Sequence, residues 1–288
     1  MQIGRCSGDI AAAESLHIIP AIEENRKVWY DARKENGGDG SRMEWRIMYL
    51  EETGSTNADA AEAGRKGEAA GLVVTAGKQT AGRGRMNRSW YSPSGTGLYC
   101  SVLLRPALSA EQAGLLSFCA ANAMTEAVRA AGFDAGIKWP NDVLCQERKI
   151  CGILSVCDAA GGRLRFAVIG SGLNLRRGAY PEELRERAAC LEEFGKVPEK
   201  EVLLRDYLAA LEREVRDLEE QGFEPVRKRY EARCVLIGRQ VRVLGREETA
   251  GTVTGIGHAG ELKLQMPDGQ ERDFLTGDVS VRGVKGYV

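Results

Sequence analysis

The chain contains very little histidine and no short-spaced cysteine pair. Its two histidines, His17 and His258, lie far apart, and none of its eight cysteines forms a Cys-x-x-Cys motif. Protein-held zinc usually needs short-spaced ligand pairs, and Ser-His-Asp or Cys-His centres need a suitably placed histidine. The sequence therefore predicts neither a metal site nor a nucleophilic triad.

Long apolar runs and an excess of charge of one sign are also missing. Forty Lys and Arg residues stand against 41 Asp and Glu residues, for a formal net charge of −1. This balance gives no general attraction to nucleic acid or to an anionic membrane. With no membrane-length apolar run, no signal-peptide pattern and most cysteines in apolar runs, we expect a cytoplasmic protein with buried free thiols.

Composition divides the chain into three parts. Residues 1–43 form an N-terminal extension of helical character, interrupted by Pro20, which ends in a Gly-rich linker and contains no convincing helix-turn-helix. Residues 44–236 interleave strands and helices, and residues 237–288 are short strands with Gly or Asp-Gly turns. We predict an α+β fold, in which a mixed β-sheet with packed helices is followed by a small β-barrel-like module.

Two segments have the clearest helical patterns. Ser109 and Gln112 stand at capping-box spacing at the start of the segment 109–132. The segment 198–222 carries a leucine-rich stripe, and Pro198 suits its first turn. Neither segment follows a P-loop or a dinucleotide-binding glycine pattern, so a nucleotide would have to be bound in another way.

Five short stretches carry residues suited to binding chemistry. They are GSTN at 54–57, QTAGRGRMNRSW at 79–90, KWPNDVL at 138–144, RKICGIL at 148–154 and IGSGLNL at 169–175. Each alone has an ordinary explanation: a helix cap, a solvated loop, an Asx turn, a solvated lysine and a strand bulge, respectively. The Gly-Arg-Gly-Arg run also leaves open a nucleic-acid patch or a cradle for a small anion.

Together these stretches combine positive charge with glycines, which leave the backbone accessible to a ligand. Arg83, Arg85, Lys138 and Lys149 supply cations, glycines allow a ligand close approach, and Asp142 supplies one carboxylate. Cations without a nucleophile suit the activation of a carboxylic acid by ATP, in which charge on phosphate and on leaving pyrophosphate must be stabilised.

In their order and spacing the five stretches resemble those of biotin protein ligases, and the resemblance covers about residues 45–285. It implies a class II synthetase-like catalytic domain at 44–236 and an SH3-like domain at 237–288. It also implies ATP-dependent formation of biotinyl-5′-AMP with release of pyrophosphate. Biotin would then pass to a lysine amine on the biotin carboxyl carrier domain of a biotin-dependent carboxylase.

The resemblance also implies roles for particular residues. A biotin site would comprise Ser55, Thr56, Asn57, Gln79, Arg83, Gly84, Arg85, Lys149 and Gly152. ATP or the adenylate would contact Arg85, Arg88, Trp90, Lys138, Asn141 and Asn174, with Mg²⁺ arriving on ATP. The catalytic residues would be Lys149, Arg85 and Asp142, the last assisting attack by the acceptor amine.

Two positions depart from the family pattern, and other functions stay open. Met86 stands where some members have another arginine after Gly-Arg-Gly-Arg, and Val156 stands where a glutamate often follows Gly-Ile-Leu. A lipoate or octanoate protein ligase is the nearest alternative, and a nucleic-acid-binding regulator is an alternative of another class. We expect no DNA binding and no membrane partner, and leave open a homodimer formed through an exposed sheet edge.

Overall fold

The computed structural model describes residues 43–178, 187–245, 248–276, 279–283 and 287–288, together with the backbone of Ile18–Ile22 and Lys27–Asp31. The strands are β1 Ile18–Ile22, β2 Lys27–Asp31, β3 Arg46–Thr53, β4 Leu72–Gln79, β5 Gly97–Leu104, β6 Ala135–Lys138, β7 Asp142–Cys145, β8 Arg148–Ala160, β9 Arg163–Asn174, β10 Gln240–Leu244, β11 Glu248–Ile256, β12 Leu262–Gln265, β13 Glu271–Phe274 and β14 Ser280–Gly283. The helices are α1 Thr56–Arg65, α2 Leu116–Ala130, α3 Lys200–Gln221 and α4 Phe223–Glu231.

A nine-stranded mixed sheet forms the larger part of the molecule. Its strand order is β1-β2-β3-β4-β5-β9-β8-β7-β6. Only β3 and β4 pair in parallel, and α1 provides the crossover that a parallel pair requires. The remaining neighbours are antiparallel, so the predicted mixed sheet with packed helices is confirmed.

The two faces of this sheet are covered by different helices. Since side chains alternate along a strand, Val73 and Val102 lie in the large core that contains α2 and α3, whereas Val74 and Leu103 face the other side. On that second face they pack with Ala60 and its neighbours on α1. The strands are therefore apolar on both faces along their central portions.

The predicted helix after Ser109 has the expected cap. The Ser109 N–H donates to Gln112 Oε1 at 3.0 Å, and the Gln112 N–H donates to Ser109 Oγ at 3.3 Å, which is a reciprocal capping box. A short 3₁₀ turn, Glu111–Leu115, comes first, and α2 begins at Leu116.

The second predicted helix differs at its start and is followed by a helix that the pattern did not indicate. Glu199 is the N-cap of α3, so the expectation that Pro198 lies in the first turn was wrong. The short, polar α4 is held by buried residues such as Tyr230 and by an ion pair in which Arg229 Nε lies 2.7 Å from Glu214 Oε1 on α3. Tertiary contacts of this kind are not visible in local sequence.

The C-terminal module is a five-stranded antiparallel sheet in the order β13-β12-β11-β10-β14. In the described residues β13 and β14 are its outer strands, and the ladder does not close into a barrel. Its inward side chains, among them Val241, Val253 and Leu264, join the same apolar core as α2 and α3. Trp139 Nε1 also donates to the Gly260 carbonyl at 3.0 Å, so the module is packed firmly against the larger sheet.

The N-terminal extension contains strands where we expected helical character. Ile18–Ile22 pairs antiparallel with Lys27–Asp31, which pairs in turn with β3. Here the prediction was wrong, because β-branched and aromatic residues favour an extended chain, and Pro20 is tolerated on an edge strand. The remaining residues of the extension up to 42, including the predicted linker, lie outside the described residues.

The cysteines agree with the expectation of buried free thiols. The seven described cysteines are all unpaired, and only Cys157 among them is exposed, while Cys6 lies outside the described residues. Burial raises the pKa of the Cys100 thiol to about 12, so it behaves as a small apolar side chain. No helix in the described part of the chain is both long and apolar enough to cross a bilayer.

Candidate active site

A cavity of about 490 Å³ lies between the large sheet and the C-terminal module. All fifteen residues that the sequence singled out as site candidates line it, although they come from separate segments of the chain. They are Ser55, Thr56, Asn57, Gln79, Arg83, Gly84, Arg85, Arg88, Trp90, Lys138, Asn141, Asp142, Lys149, Gly152 and Asn174.

The start of α1 is linked to the end of β4 by a side chain rather than by its own cap. Ser55 occupies the N-cap position, but its side chain makes no capping hydrogen bond. Instead, Gln79 Oε1 accepts a hydrogen bond of 2.9 Å from the Thr56 N–H, and Gln79 Nε2 donates to Ser92 Oγ at 2.9 Å. The helix N-terminus, a favourable place for partial negative charge, is thus held at one wall of the cavity.

The arginine-containing loop 79–92 folds back on itself. Isolated antiparallel β-bridges pair Gln79 with Ser92 and Arg83 with Ser89. Nearer the tip, the Gly84 N–H donates to the Arg88 carbonyl at 2.7 Å. At the tip of the loop, Met86 and Asn87 both have a φ of 56°, in the left-handed region.

Arg85 and Arg88 extend from this loop across the cavity. Arg85 donates to Asn141 Oδ1 at 3.3 Å and to the main-chain carbonyl of Thr276 in the C-terminal module. Arg88 donates to Ser280 Oγ at 3.3 Å, and the exposed Met86 lies against the same serine. The loop therefore covers the cavity and contacts both of its sides.

The glycines of β8 and β9 make room for an indole ring. A Cβ atom at Gly172 would lie 2.3 Å from Trp90 Nε1, and one at Gly152 would lie 2.9 Å from the far edge of the same ring. Lys149 Nζ is 5.1 Å from the ring centroid, which is cation–π distance. Trp90 Nε1 is a buried donor without a partner among the described residues, which is unusual unless a ligand supplies the acceptor.

Asp142, the one carboxylate among the described residues of the cavity, is held from both sides. Lys149 Nζ lies 2.5 Å from Asp142 Oδ1, and the Tyr287 hydroxyl donates to Asp142 Oδ2. Burial opposes ionisation of Asp142, but attraction to Lys149 and the hydrogen bonds from Lys149 and Tyr287 outweigh it, so its pKa is lowered. Asp142 is therefore ionised at neutral pH.

Lys138 is almost completely buried at the end of β6, with 2% of its surface exposed. Burial, followed by repulsion from Arg282, lowers the pKa of Lys138 to about 7. A buried ammonium with a lowered pKa next to further cations creates a strong preference for an anionic ligand.

The cavity is strongly cationic in a chain that is nearly neutral. Seven of the described side chains that line it are Lys or Arg, whereas Asp142 is the one carboxylate among those described. Four of the cations were expected from the motifs; the others include Arg88, which the resemblance implied, and Arg187 and Arg282, which sequence reasoning missed. Ser101 and Tyr287 were also missed, because no local pattern links β5 or the C-terminal module to the cavity.

Val156 is one of the two departures from the family pattern, and Asn174 is a candidate for the nucleotide site. Val156 is 40% exposed on β8, beyond the point where β7 stops pairing with that strand. The amide of Asn174 is buried, and its Nδ2 atom donates to the Ala189 carbonyl at 3.0 Å.

Comparison with known proteins places these features in a family. Residues 51–174 match the model of the biotin/lipoate A/B protein ligase family, and residues 236–282 match the biotin protein ligase C-terminal domain. The chain is 33% identical over 233 residues to the bifunctional ligase/repressor BirA of Bacillus spizizenii, covering 79% of this chain and 72% of that protein. It is 34% identical over 230 residues to the biotin–[acetyl-CoA-carboxylase] ligase of Paracoccus denitrificans, covering 77% and 95%.

A solved structure agrees with this relationship. The biotin protein ligase from Aquifex aeolicus in complex with biotin and ATP superimposes with a TM-score of 0.71 at 28% identity, covering 82% of this chain and 98% of that one. The mixed sheet, its glycine-lined cationic cavity and the attached C-terminal module define a protein ligase of the biotin/lipoate class. Within that class, the chain belongs to the biotin protein ligase family, as the five motifs predicted.

Proposed function

We propose that this protein activates biotin with ATP to form biotinyl-5′-AMP and transfers biotin to a lysine of a biotin carboxyl carrier domain. The observation that carries the proposal is the cavity, whose described lining has seven cationic side chains, one carboxylate and two glycine-lined strands. Such a cavity suits a ligand with an apolar body and several negative charges.

The first half-reaction joins the biotin carboxylate to the α-phosphorus of ATP, with pyrophosphate as the leaving group. Residues Ser55, Thr56, Asn57, Gln79, Arg83, Gly84 and Gly152 form the proposed biotin site, around a polar network in which Ser101 Oγ lies 2.7 Å from Asn57 Oδ1. Lys149 and Arg85 hold the carboxylate and the α-phosphate, since both line the cavity and present positive charge to it. Arg88, Trp90, Lys138, Asn141 and Asn174 form the proposed nucleotide site.

The second half-reaction transfers the biotinyl group from AMP to the acceptor amine. Asp142 is the proposed group that attracts the incoming ammonium and receives its proton, because it is ionised and lies beside Lys149. Loop 79–92 excludes water from the mixed anhydride, which would otherwise hydrolyse.

Mg²⁺ is proposed to arrive on the phosphates of ATP rather than in a protein cage. The carboxylate oxygens of Asp142 both have partners already, and no other carboxylate is found among the described lining residues. Bound in this way, Mg²⁺ would neutralise charge on the phosphates.

Lipoate or octanoate transfer is the competing chemistry of the same class. The match to a biotin protein ligase C-terminal domain favours biotin. The test is incubation with ATP, labelled biotin or labelled lipoate, and an acceptor carrier domain. Biotin-dependent labelling of the carrier is expected; lipoate labelling without biotin labelling would overturn the proposal.

We further propose the boundaries 1–43, 44–236 and 237–288 for the extension, the catalytic domain and the C-terminal domain. The change from α3 and α4 to the small sheet near residue 237 supports the second boundary. A cytoplasmic location is supported by seven described cysteines that are all unpaired.

The strands at 18–22 and 27–31 give no support to a DNA-binding helix pair, so we propose a ligase without DNA binding. A gel-shift assay with operator-length duplex DNA tests this, and salt-sensitive sub-micromolar binding would revive the regulator alternative.

A homodimer is proposed at the open edge of β8. Pairing with β7 ends at Gly152, so residues 155–160 have a ladder on the β9 side only, and the exposed Val156 lies in this segment. Light-scattering mass with and without biotin and ATP tests the proposal. Val156→Lys is expected to reduce the dimer fraction, and a monomer under every condition would contradict it.

A further inference from the structure

Tyr287 occupies the interior of the cavity. Its ring lies beneath the ammonium group of Lys138, with Nζ 3.3 Å from the ring centroid, and the guanidinium carbon of Arg282 is 5.3 Å from the same centroid. Its hydroxyl donates to Asp142, and its main-chain carbonyl accepts a hydrogen bond of 2.5 Å from Lys138 Nζ. One residue thus contacts three charged groups of the cavity.

These contacts use the groups that the proposed reaction needs. Asp142 has one oxygen on Lys149 and the other on Tyr287, so neither oxygen is free to receive an acceptor amine. The Lys138 ammonium, proposed to meet the nucleotide, is likewise engaged by the ring and the carbonyl of Tyr287. A residue that merely positioned the site would leave these ligand-binding groups accessible.

The chemistry of a tyrosine suits this place only partly. The face of its ring makes cation–π contacts with Lys138 and Arg282. The tyrosine nevertheless brings no negative charge to a cavity with an excess of cations. Burial, followed by repulsion from Asp142, raises the pKa of Tyr287, so the phenol stays neutral at physiological pH. An anionic ligand is therefore a better partner for Lys138 and Arg282 than Tyr287 is.

We propose that Tyr287 is an intramolecular competitor of the nucleotide, which must displace it from Lys138 and Asp142 before catalysis. This inference rests on the proposed function. It predicts that the wild-type protein binds ATP more weakly than its cavity allows, because part of the binding free energy is used to displace the tyrosine.

Gly283 offers a way to displace Tyr287 by a substitution at a residue that does not line the cavity. A Cβ atom at Gly283 would lie 2.1 Å from the main-chain oxygen of Val288, so the chain after Tyr287 lies directly on this glycine of β14. Gly283 is not among the residues that line the cavity. Gly283→Ala is expected to push Val288, and Tyr287 with it, away from the cavity.

The experiment compares the full-length protein with its Tyr287→Ala and Gly283→Ala variants in biotin-dependent pyrophosphate exchange. Both variants are expected to lower KM for ATP about threefold or more without lowering kcat. Tyr287→Phe keeps the ring and the carbonyl contact, so it is expected to show less than half of that fall in KM. Lys263→Ala, which alters an exposed ion pair on β12, is the control and should behave as wild type.

An unchanged or raised KM for ATP in Tyr287→Ala overturns the proposal, as does a fall in kcat at unchanged KM, which would indicate a positioning role. If Gly283→Ala does not fold, Tyr287→Ala alone decides. When wild type forms biotinyl-5′-AMP but the variants show no gain in apparent affinity, only the inference about Tyr287 fails. When neither the wild type nor any variant forms biotinyl-5′-AMP, the proposed function fails.

Discussion

The ammonium group of Lys149 lies 2.5 Å from a carboxylate oxygen of Asp142, across the pairing between β8 and β7. Both side chains are partly buried, with 23% and 16% of their surfaces exposed. At this depth each charge depends on the other, because an unpaired buried charge is costly. The pair places the two proposed half-reactions next to each other: Lys149 for adenylate formation and Asp142 for transfer to the amine.

Replacing Lys149 with alanine is expected to reduce biotinyl-5′-AMP formation about 100-fold or more, because the fixed charge at the developing phosphate is lost. Pyrophosphate exchange measures this step. Arg148→Ala is the matched control, since Arg148 precedes Lys149 but pairs with Glu193 at 2.8 Å. It should remain within about twofold of wild type, as expected of a partly exposed ion pair. Undiminished exchange in Lys149→Ala would show that the lysine has another role.

Replacing Asp142 with asparagine is expected to separate the two half-reactions. The amide keeps the shape and can still accept from Tyr287, but it cannot take a proton, so transfer to the carrier should fall about 100-fold. Adenylate formation should fall much less. Single-turnover transfer from preformed biotinyl-5′-AMP isolates the second step. Equal losses in both steps would argue against a specific role in transfer.

Replacing Gly172 with alanine is expected to displace Trp90, because the new Cβ atom would lie 2.3 Å from Trp90 Nε1. Overpacking of this kind costs about 1–3 kcal/mol of stability, and ATP affinity should fall with it, because Trp90 belongs to the proposed nucleotide site. Gly114→Ala is the control, since a Cβ atom there meets nothing within 4 Å. Thermal unfolding and calorimetric ATP titration measure both effects. Normal ATP affinity in Gly172→Ala would remove Trp90 from the proposed nucleotide site.

ATP affinity is expected to fall as pH rises above 7. Burial, with repulsion from Arg282, lowers the pKa of Lys138 to about 7, so the free protein carries this charge below pH 7 and loses it above. An anionic phosphate favours the charged form, so binding above pH 7 must take up a proton and weakens by at most about tenfold per pH unit. Calorimetry in buffers of different ionisation enthalpy measures the uptake. Lys138→Arg should abolish the pH dependence. If the ATP affinity of the wild type does not change between pH 6 and pH 9, Lys138 is not the titrating group.

Local patterns predicted the elements that depend on near neighbours. The reciprocal cap of Ser109 and Gln112 and the five stretches that carry the cavity-lining candidates could be read from the sequence, and the resemblance then implied which of their residues bind. Strands β1 and β2 of the extension and the polar helix α4 could not. Their conformations depend on the ladder that joins β1 through β2 to β3 and on the buried Glu214–Arg229 contact, both remote in sequence.

The sequence by itself determined which residue types are available for chemistry: arginines in one loop, lysines at strand ends, glycines in two strands and no usable histidine. Only the tertiary structure decided that Arg282 and Tyr287 of the C-terminal module enter the same cavity as Lys138 and Asp142. The physical reason is that the module is positioned by apolar packing and by the Trp139–Gly260 hydrogen bond, and such long-range contacts leave no periodic signal in the chain. QTAGRGRMNRSW is a candidate binding loop in sequence; in the fold it also joins the two sheets through Arg85.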